Sequence, residues 1–204
     1  LAQLISAGKL PVALREIEHR YVGPTLGTQA LRTSLIAGGI GILLVMLFMI
    51  LVYRLPGFVS AIAITCYMGI FGIVIVYFGI NLSLPGIAGV ILTIGMAVDS
   101  NVIIYERIKE ELNVGKSIKS AVKAGFANAF SAIIDANITT IIAALVLWFY
   151  GAGTVKGFAI TLFIGVVVSM FTAIFVTKFL LKQLAGFGIG NPKLYCAMGK
   201  GGQQ

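Results

Sequence analysis

Asp99 and Asp135 are the two acids of this chain that lie inside long apolar runs. The five glutamates, Glu16, Glu18, Glu106, Glu110 and Glu111, all lie outside them. A charged carboxyl near the middle of a bilayer costs roughly 2.5–3.5 kcal/mol on insertion scales and more in simulations. Such a residue faces other helices or water, and proton relay is its leading use. A carboxyl stays neutral in lipid and ionises when water reaches it. On a helix, positions three, four and seven apart share a face. Around Asp99 that stripe is Leu92, Gly95, Asp99, Val102 and Glu106. Gly95, one turn away, leaves room for a neighbouring backbone or for water. Glu106 ends the stripe about 10 Å further along the axis, at about 1.5 Å per residue. Around Asp135 the stripe is Asn128, Ser131, Asp135 and Thr139, with Asn137 and Thr140 as a second polar pair beside it. The bland reading is a neutral carboxyl that hydrogen-bonds across helices, worth about 0.6 kcal/mol on average in membrane proteins. That reading competes most strongly at Asp135, which has more hydroxyl and amide neighbours. For Ser131, Asn137 and Thr139, packing or helix–helix hydrogen bonding is the more economical reading.

The elements that carry these residues are membrane helices. Of 204 residues, 59% are hydrophobic and 11% charged, a membrane composition rather than a soluble one. The 25 glycines suit close helix packing in lipid. A bilayer core needs about 20 apolar residues per helix. Five segments qualify: 34–53, 58–79, 86–105, 128–150 and 157–181. Arg54–Gly57, Asn81–Gly86 and Gly151–Gly157 punctuate them, with Pro85 suited to a helix start. The fold class expected is therefore an all-α integral membrane bundle.

The long polar gap, 106–126, pairs Ile108 with Leu112 and Ile118 with Val122 at i, i+4 around Gly115, with charges on the other face. Two short amphipathic helices on the membrane interface fit this pattern. Residues 1–33 differ again. Val12–Val22 partly alternates apolar and polar, as an edge strand would, and Gly23-Pro24 stops it. We expect 1–33 to be the end of an extracytoplasmic domain with its re-entry segment. The bundle then spans 34–183 and a tail spans 184–204.

The net charge is +8. Nucleic acid is not needed to explain it, because topology does. Arg54, Arg107, Lys109, Lys116, Lys119, Lys123, Lys178, Lys182, Lys193 and Lys200 fall on one side of a five-span path. The other side has Lys156 in its short loops, with Lys9, Arg15, Arg20 and Arg32 in the N-terminal stretch. The richer side is cytoplasmic by the positive-inside rule, which places the N-terminus outside. That orientation, and a start at Leu1, lead us to expect a piece of a longer protein. Trp148 and Tyr150 read as an aromatic belt at the outer interface.

Other chemistries find no support. No G-x-x-x-x-G-K-[ST] occurs. The single histidine, His19, lies outside the apolar runs, so no Ser/His/Asp or Cys/His set forms. Cys66 and Cys196 give neither a disulfide framework nor a metal site. The chain does not read as an enzyme, and no cofactor is called for. Energy used here comes from a gradient or from another subunit.

The segment Gly95-Met96-Ala97-Val98-Asp99-Ser100-Asn101-Val102-Ile103-Ile104-Tyr105-Glu106-Arg107 through Leu112 resembles the fourth-helix signature of the SecD/SecF family, within the resistance-nodulation-division superfamily. Ser100 stands where Ala is commoner. Ala129 through Thr140, with Asp135 and Asn137, is similar to the family's fifth-helix signature. Tyr21–Gly27 resembles the segment where the large periplasmic head re-enters the membrane, and Gly151–Ala159 resembles a Gly-Thr-Gly-type loop. The likeness covers about residues 4–182 and lies with the C-terminal part of the SecD branch.

This resemblance implies a bundle of six helices, of which the first, with most of the head, precedes this segment. It implies pairing with SecF, work beside the Sec translocon and its motor, and a head that holds the translocating polypeptide. The setting is the bacterial inner membrane. Asp99 matches the family's proton-carrying aspartate, and Asp135 matches a position of less certain role. Asn101 is a supporting polar position. The ion is H⁺, with Na⁺ used by some relatives. Two other readings stay open: a non-transporting scaffold that docks SecF and the translocon, and a lipid or drug exporter of the same superfamily. The local motifs and the short 80–86 loop speak against the exporter.

Overall fold

The computed structural model describes residues 24–186, and these are almost entirely helical. Helix α1 runs Pro24–Tyr53, α2 Leu55–Tyr77, α3 Leu84–Asn113, α4 Ile118–Tyr150 and α5 Thr154–Phe171. A π-helical segment, Thr172–Thr177, then leads into α6, Lys178–Gly186. Five helices are long and apolar enough to cross a membrane; α5, the π segment and α6 together make the fifth. The expected all-α bundle of five spans is what forms. The strand expected over 12–22 and most of the tail lie outside the described residues.

Three breaks follow from residue chemistry. Arg54, with φ 51°, is the single residue between α1 and α2, and Pro56 opens the next helix, where a missing N–H costs nothing. Ser83 caps α3, its hydroxyl accepting from the Gly86 N–H at 3.2 Å. Gly115, at φ 89°, turns the chain between α3 and α4 in a region few L side chains adopt.

The ends differ from the sequence reading in two places. α1 begins at Pro24 rather than near residue 34. The 106–126 segment does not form two separate interfacial helices. α3 continues to Asn113 and α4 starts at Ile118, leaving Val114–Ser117 as the link. Glu, Arg, Lys and Leu after Tyr105 are all good helix formers, so nothing stops α3 before Gly115.

α3 is the centre of the bundle, packing on α5, α4, α1 and α2. Its contact with α5 is a ladder of small residues. Ser83 meets Gly157, Gly89 meets Thr161, and Thr93 fills the space over Gly165, where an added Cβ would lie 2.6 Å from the Thr93 Cβ. In lipid, where apolar surface gains nothing by leaving solvent, such close backbone approach is what holds helices together. Tyr67 of α2 donates to the Thr93 hydroxyl at 2.8 Å, adding a third helix to the ladder. At the charged end, Ile108, Tyr105, Ala121, Val122 and Leu181 form a continuous buried cluster.

Candidate functional site

Helix α3 has two unlike faces around residue 99. Ala97, Val98, Ser100, Asn101, Ile104 and Tyr105 are buried inside the bundle. Gly95 and Asp99 are exposed, and Leu92 is 49% exposed. Nothing lies within 4 Å of a Cβ built on Gly95. The Asp99 carboxyl makes no hydrogen bond or ion pair among the described residues. The stripe closes only at its charged end. There Glu106 accepts from the Tyr53 hydroxyl at 3.0 Å and pairs with Lys109 at 3.3 Å.

Directly behind Asp99, on the buried face, sits a polar knot. Asn101 donates through Nδ2 to the Ser60 hydroxyl of α2 at 3.3 Å. Its Oδ1 accepts from the Thr177 hydroxyl at 2.8 Å. Thr177 is the last residue of the π-helical segment, so one asparagine joins α2, α3 and the π turn. The buried Tyr105 hydroxyl faces Ser60 without meeting hydrogen-bond geometry. The Thr172 hydroxyl donates to the Val168 and Ser169 carbonyls, each at 3.0 Å. Ser169 donates to Val166 at 2.8 Å. Hydroxyls bonded back to carbonyls loosen and bend a helix, and π turns gather at functional sites.

Asp135 lies on an exposed face of α4. Ser131 donates to its Oδ2 at 3.4 Å, and Thr139 donates to its backbone carbonyl at 3.0 Å, both within α4. Asn128 turns away and donates to Glu111 of α3 at 2.8 Å. Asn137 is buried and bonds the Ile133 carbonyl one turn back at 2.7 Å. The Asp135 stripe therefore joins no second helix at the carboxyl itself. No hydrogen bond links the two aspartates among the described residues.

The structure thus brings Asn101 together with Ser60 and Thr177, and Ser131 with Asp135. It leaves Asp99, Gly95, Asp135 and Thr139 on faces open to a neighbour. Ser60 and Thr177 were not singled out from sequence. Their only signal there is a hydroxyl residue inside an apolar run. Among the described residues no three His, Cys, Asp or Glu side chains come together as a metal site would need.

Residues 6–186 match the family described as "Protein export membrane protein SecD/SecF, C-terminal". The chain belongs to this family. It is 51% identical over 186 residues to the protein translocase subunit SecD of Acidaminococcus fermentans, covering 91% of this chain and 45% of that protein. It is 46% identical over 200 residues to SecD of Synechocystis, covering 96% of this chain and 42% of that protein. The chain thus spans less than half the length of these two relatives. Among solved structures it is similar to SecDF of Thermus thermophilus, described as a translocon-associated membrane protein, with a TM-score of 0.80 and 39% identity. That match covers 82% of this chain and 23% of the other. A second form, called super-membrane-facing, aligns with a TM-score of 0.77 and 40% identity.

Proposed function

We propose that this chain is the membrane bundle of a SecD subunit, coupling an ion gradient to protein export across the bacterial inner membrane. The observation that carries the reading is the two-sided environment of Asp99. On one side the carboxyl and Gly95 stand on a face that no helix among the described residues covers. On the other, Asn101, Ser60 and Thr177 tie the same turn of α3 to two neighbouring elements. A carboxyl this costly in lipid is kept off it by a second protein surface or by water. The fitting occupant is the bundle of SecF, whose helices would complete the seam and let ions reach Asp99. Sec translocon, motor and translocating polypeptide are then the further partners. The ion is H⁺, with Na⁺ the alternative.

Relatives bearing the name protein translocase subunit support the export role. The fused SecDF chain supports the pairing with a second bundle. A scaffold without transport is the competing reading, because an open face docks a partner whether or not its carboxyl titrates.

The test is Asp99→Asn in the full-length protein, which keeps shape and removes the ionisable site. Association with SecF should be unchanged, while gradient-stimulated export in inner-membrane vesicles should fall to the level without a gradient. Imposing proton and sodium gradients separately identifies the ion. Export at the wild-type rate would leave the scaffold reading standing.

A further inference from the structure

A groove of about 1100 Å³ opens between α4 and α6, away from the Asp99 face. It exceeds the roughly 300–1,000 Å³ of ordinary small-ligand pockets. Its mouth is set by two lysine pairs, each at i, i+4 on one helix face: Lys119 and Lys123 on α4, Lys178 and Lys182 on α6. All four are exposed. None is in an ion pair among the described residues. The nearby glutamates do not compensate them. Glu106 holds Lys109, Glu110 holds Arg107, and Glu111 holds Lys116.

Behind the lysines the groove turns apolar. Ile104, Phe126 and Ile133 are buried there and Ile174 is half-buried, while Phe130 on α4 stays exposed; Phe179 stands at the level of the lysines, between Lys178 and Lys182. Along α4 charge and apolarity are segregated, Lys119 and Lys123 coming before Phe126, Phe130 and Ile133. Cationic groups gather where α4 and α6 leave the apolar zone, and a hydrocarbon slot continues inward from them. An acidic peptide would bring backbone amides into that slot, against side chains that offer no hydrogen bond. A molecule with one anionic end and a long apolar body matches the whole groove.

We propose that the groove between α4 and α6 is a binding site for an anionic phospholipid. The phosphate lies among Lys119, Lys123, Lys178 and Lys182, and an acyl chain runs inward past Phe126, Phe130 and Ile174. Basic pockets between membrane helices recognise anionic headgroups in this way. The site is built by the last turns of α6, immediately after the π segment that holds Asn101. A bound lipid would brace that end of the bundle.

The test uses the full-length protein in nanodiscs of phosphatidylcholine containing a minor fraction of phosphatidylglycerol, with retained lipid read by native mass spectrometry. Phosphatidylglycerol should be retained over phosphatidylcholine. The double variant K119Q/K123Q, on exposed positions that do not threaten folding, should lower its retention roughly thirtyfold. K156Q, at the opposite end of the bundle, should change nothing. Ala127→Trp fills the groove and should lower retention without altering charge. A photo-reactive residue at Phe130 should yield a lipid adduct. Equal retention of the two lipids, unchanged retention in K119Q/K123Q, or full displacement by millimolar inorganic phosphate would each overturn the proposal. So would a protein adduct at Phe130, whether to residues 187–204 of this chain or to another subunit.

Discussion

The Thr177 hydroxyl donates a 2.8 Å hydrogen bond to Oδ1 of Asn101, across 76 positions of sequence. It ties the one π-helical turn among the described residues to the helix that presents Asp99. Both partners are buried, and the Asn101 amide also needs Ser60. The energetic asymmetry matters here. A buried acceptor stripped of its donor costs more than the bond is worth.

Thr177→Val keeps the shape and removes the donor. Membrane hydrogen bonds average about 0.6 kcal/mol, but a stranded carbonyl raises the loss to about 1 kcal/mol. For a bundle of this size that is a fall in Tm of about 2–4 °C. Thr177→Ser should stay near wild type. A Val variant melting with the wild type in detergent would show that the bond carries no stability.

Gly95 of α3 and Gly165 of α5 should behave in opposite ways. Gly165 sits under Thr93, and any side chain there must push α3 and α5 apart. Gly165→Leu should cost about 1–3 kcal/mol or abolish folding, by overpacking. Gly95 has open space around it, so Gly95→Leu should leave the melting of the isolated bundle unchanged. The same variant should weaken association with a SecF bundle, measured by co-purification. Full association with Gly95→Leu would mean that the partner lies elsewhere.

The sequence made the five spans legible because each is a long apolar run bounded by Gly or Pro. It also marked the face of Asp99, since Gly95 at i−4 offers a gap rather than a knob. The α3 extension to Asn113 was hidden for a physical reason. Ile108 and Leu112 keep helical spacing, but the charges from Glu106 to Glu111 end the apolar run, and only backbone continuity tells a separate short helix from an extension of α3. The Asn101 knot was hidden because its bonds reach Ser60 and Thr177, 41 and 76 positions away. The π turn leaves no local pattern either. It depends on where Thr172 and Ser169 send their hydroxyls, and that is decided by packing.

Topology gives a direct check on the orientation read from charge. The link Val114–Ser117 and the loop Gly151–Gly153 lie at opposite ends of α4. Single cysteines replacing Lys116 and Lys156, in a background with Cys66 and Cys196 changed to Ser, should label from opposite faces with an impermeant reagent. Lys116 should react from the cytoplasmic face. Labelling of both from one face would contradict a membrane-spanning α4.

Asp135 separates a structural from a functional carboxyl. In sequence its neighbours Asn128, Ser131 and Thr139 suggested a buried knot. In the structure Asn128 serves Glu111, and the Ser131 contact is a long 3.4 Å bond within an exposed face. Replacing the carboxyl therefore breaks no cross-helix bond among the described residues. Asp135→Asn should shift the stability of the isolated bundle by less than about 0.5 kcal/mol, the range of surface substitutions. Any larger effect would arise in an assembly in which a second subunit covers this face of α4. The measurement is Tm of the bundle alone beside Tm of the complex. A drop in the complex only would make Asp135 an interface residue. A drop of several degrees in the bundle alone would restore the buried-knot reading and overturn the placement of this carboxyl on an open face.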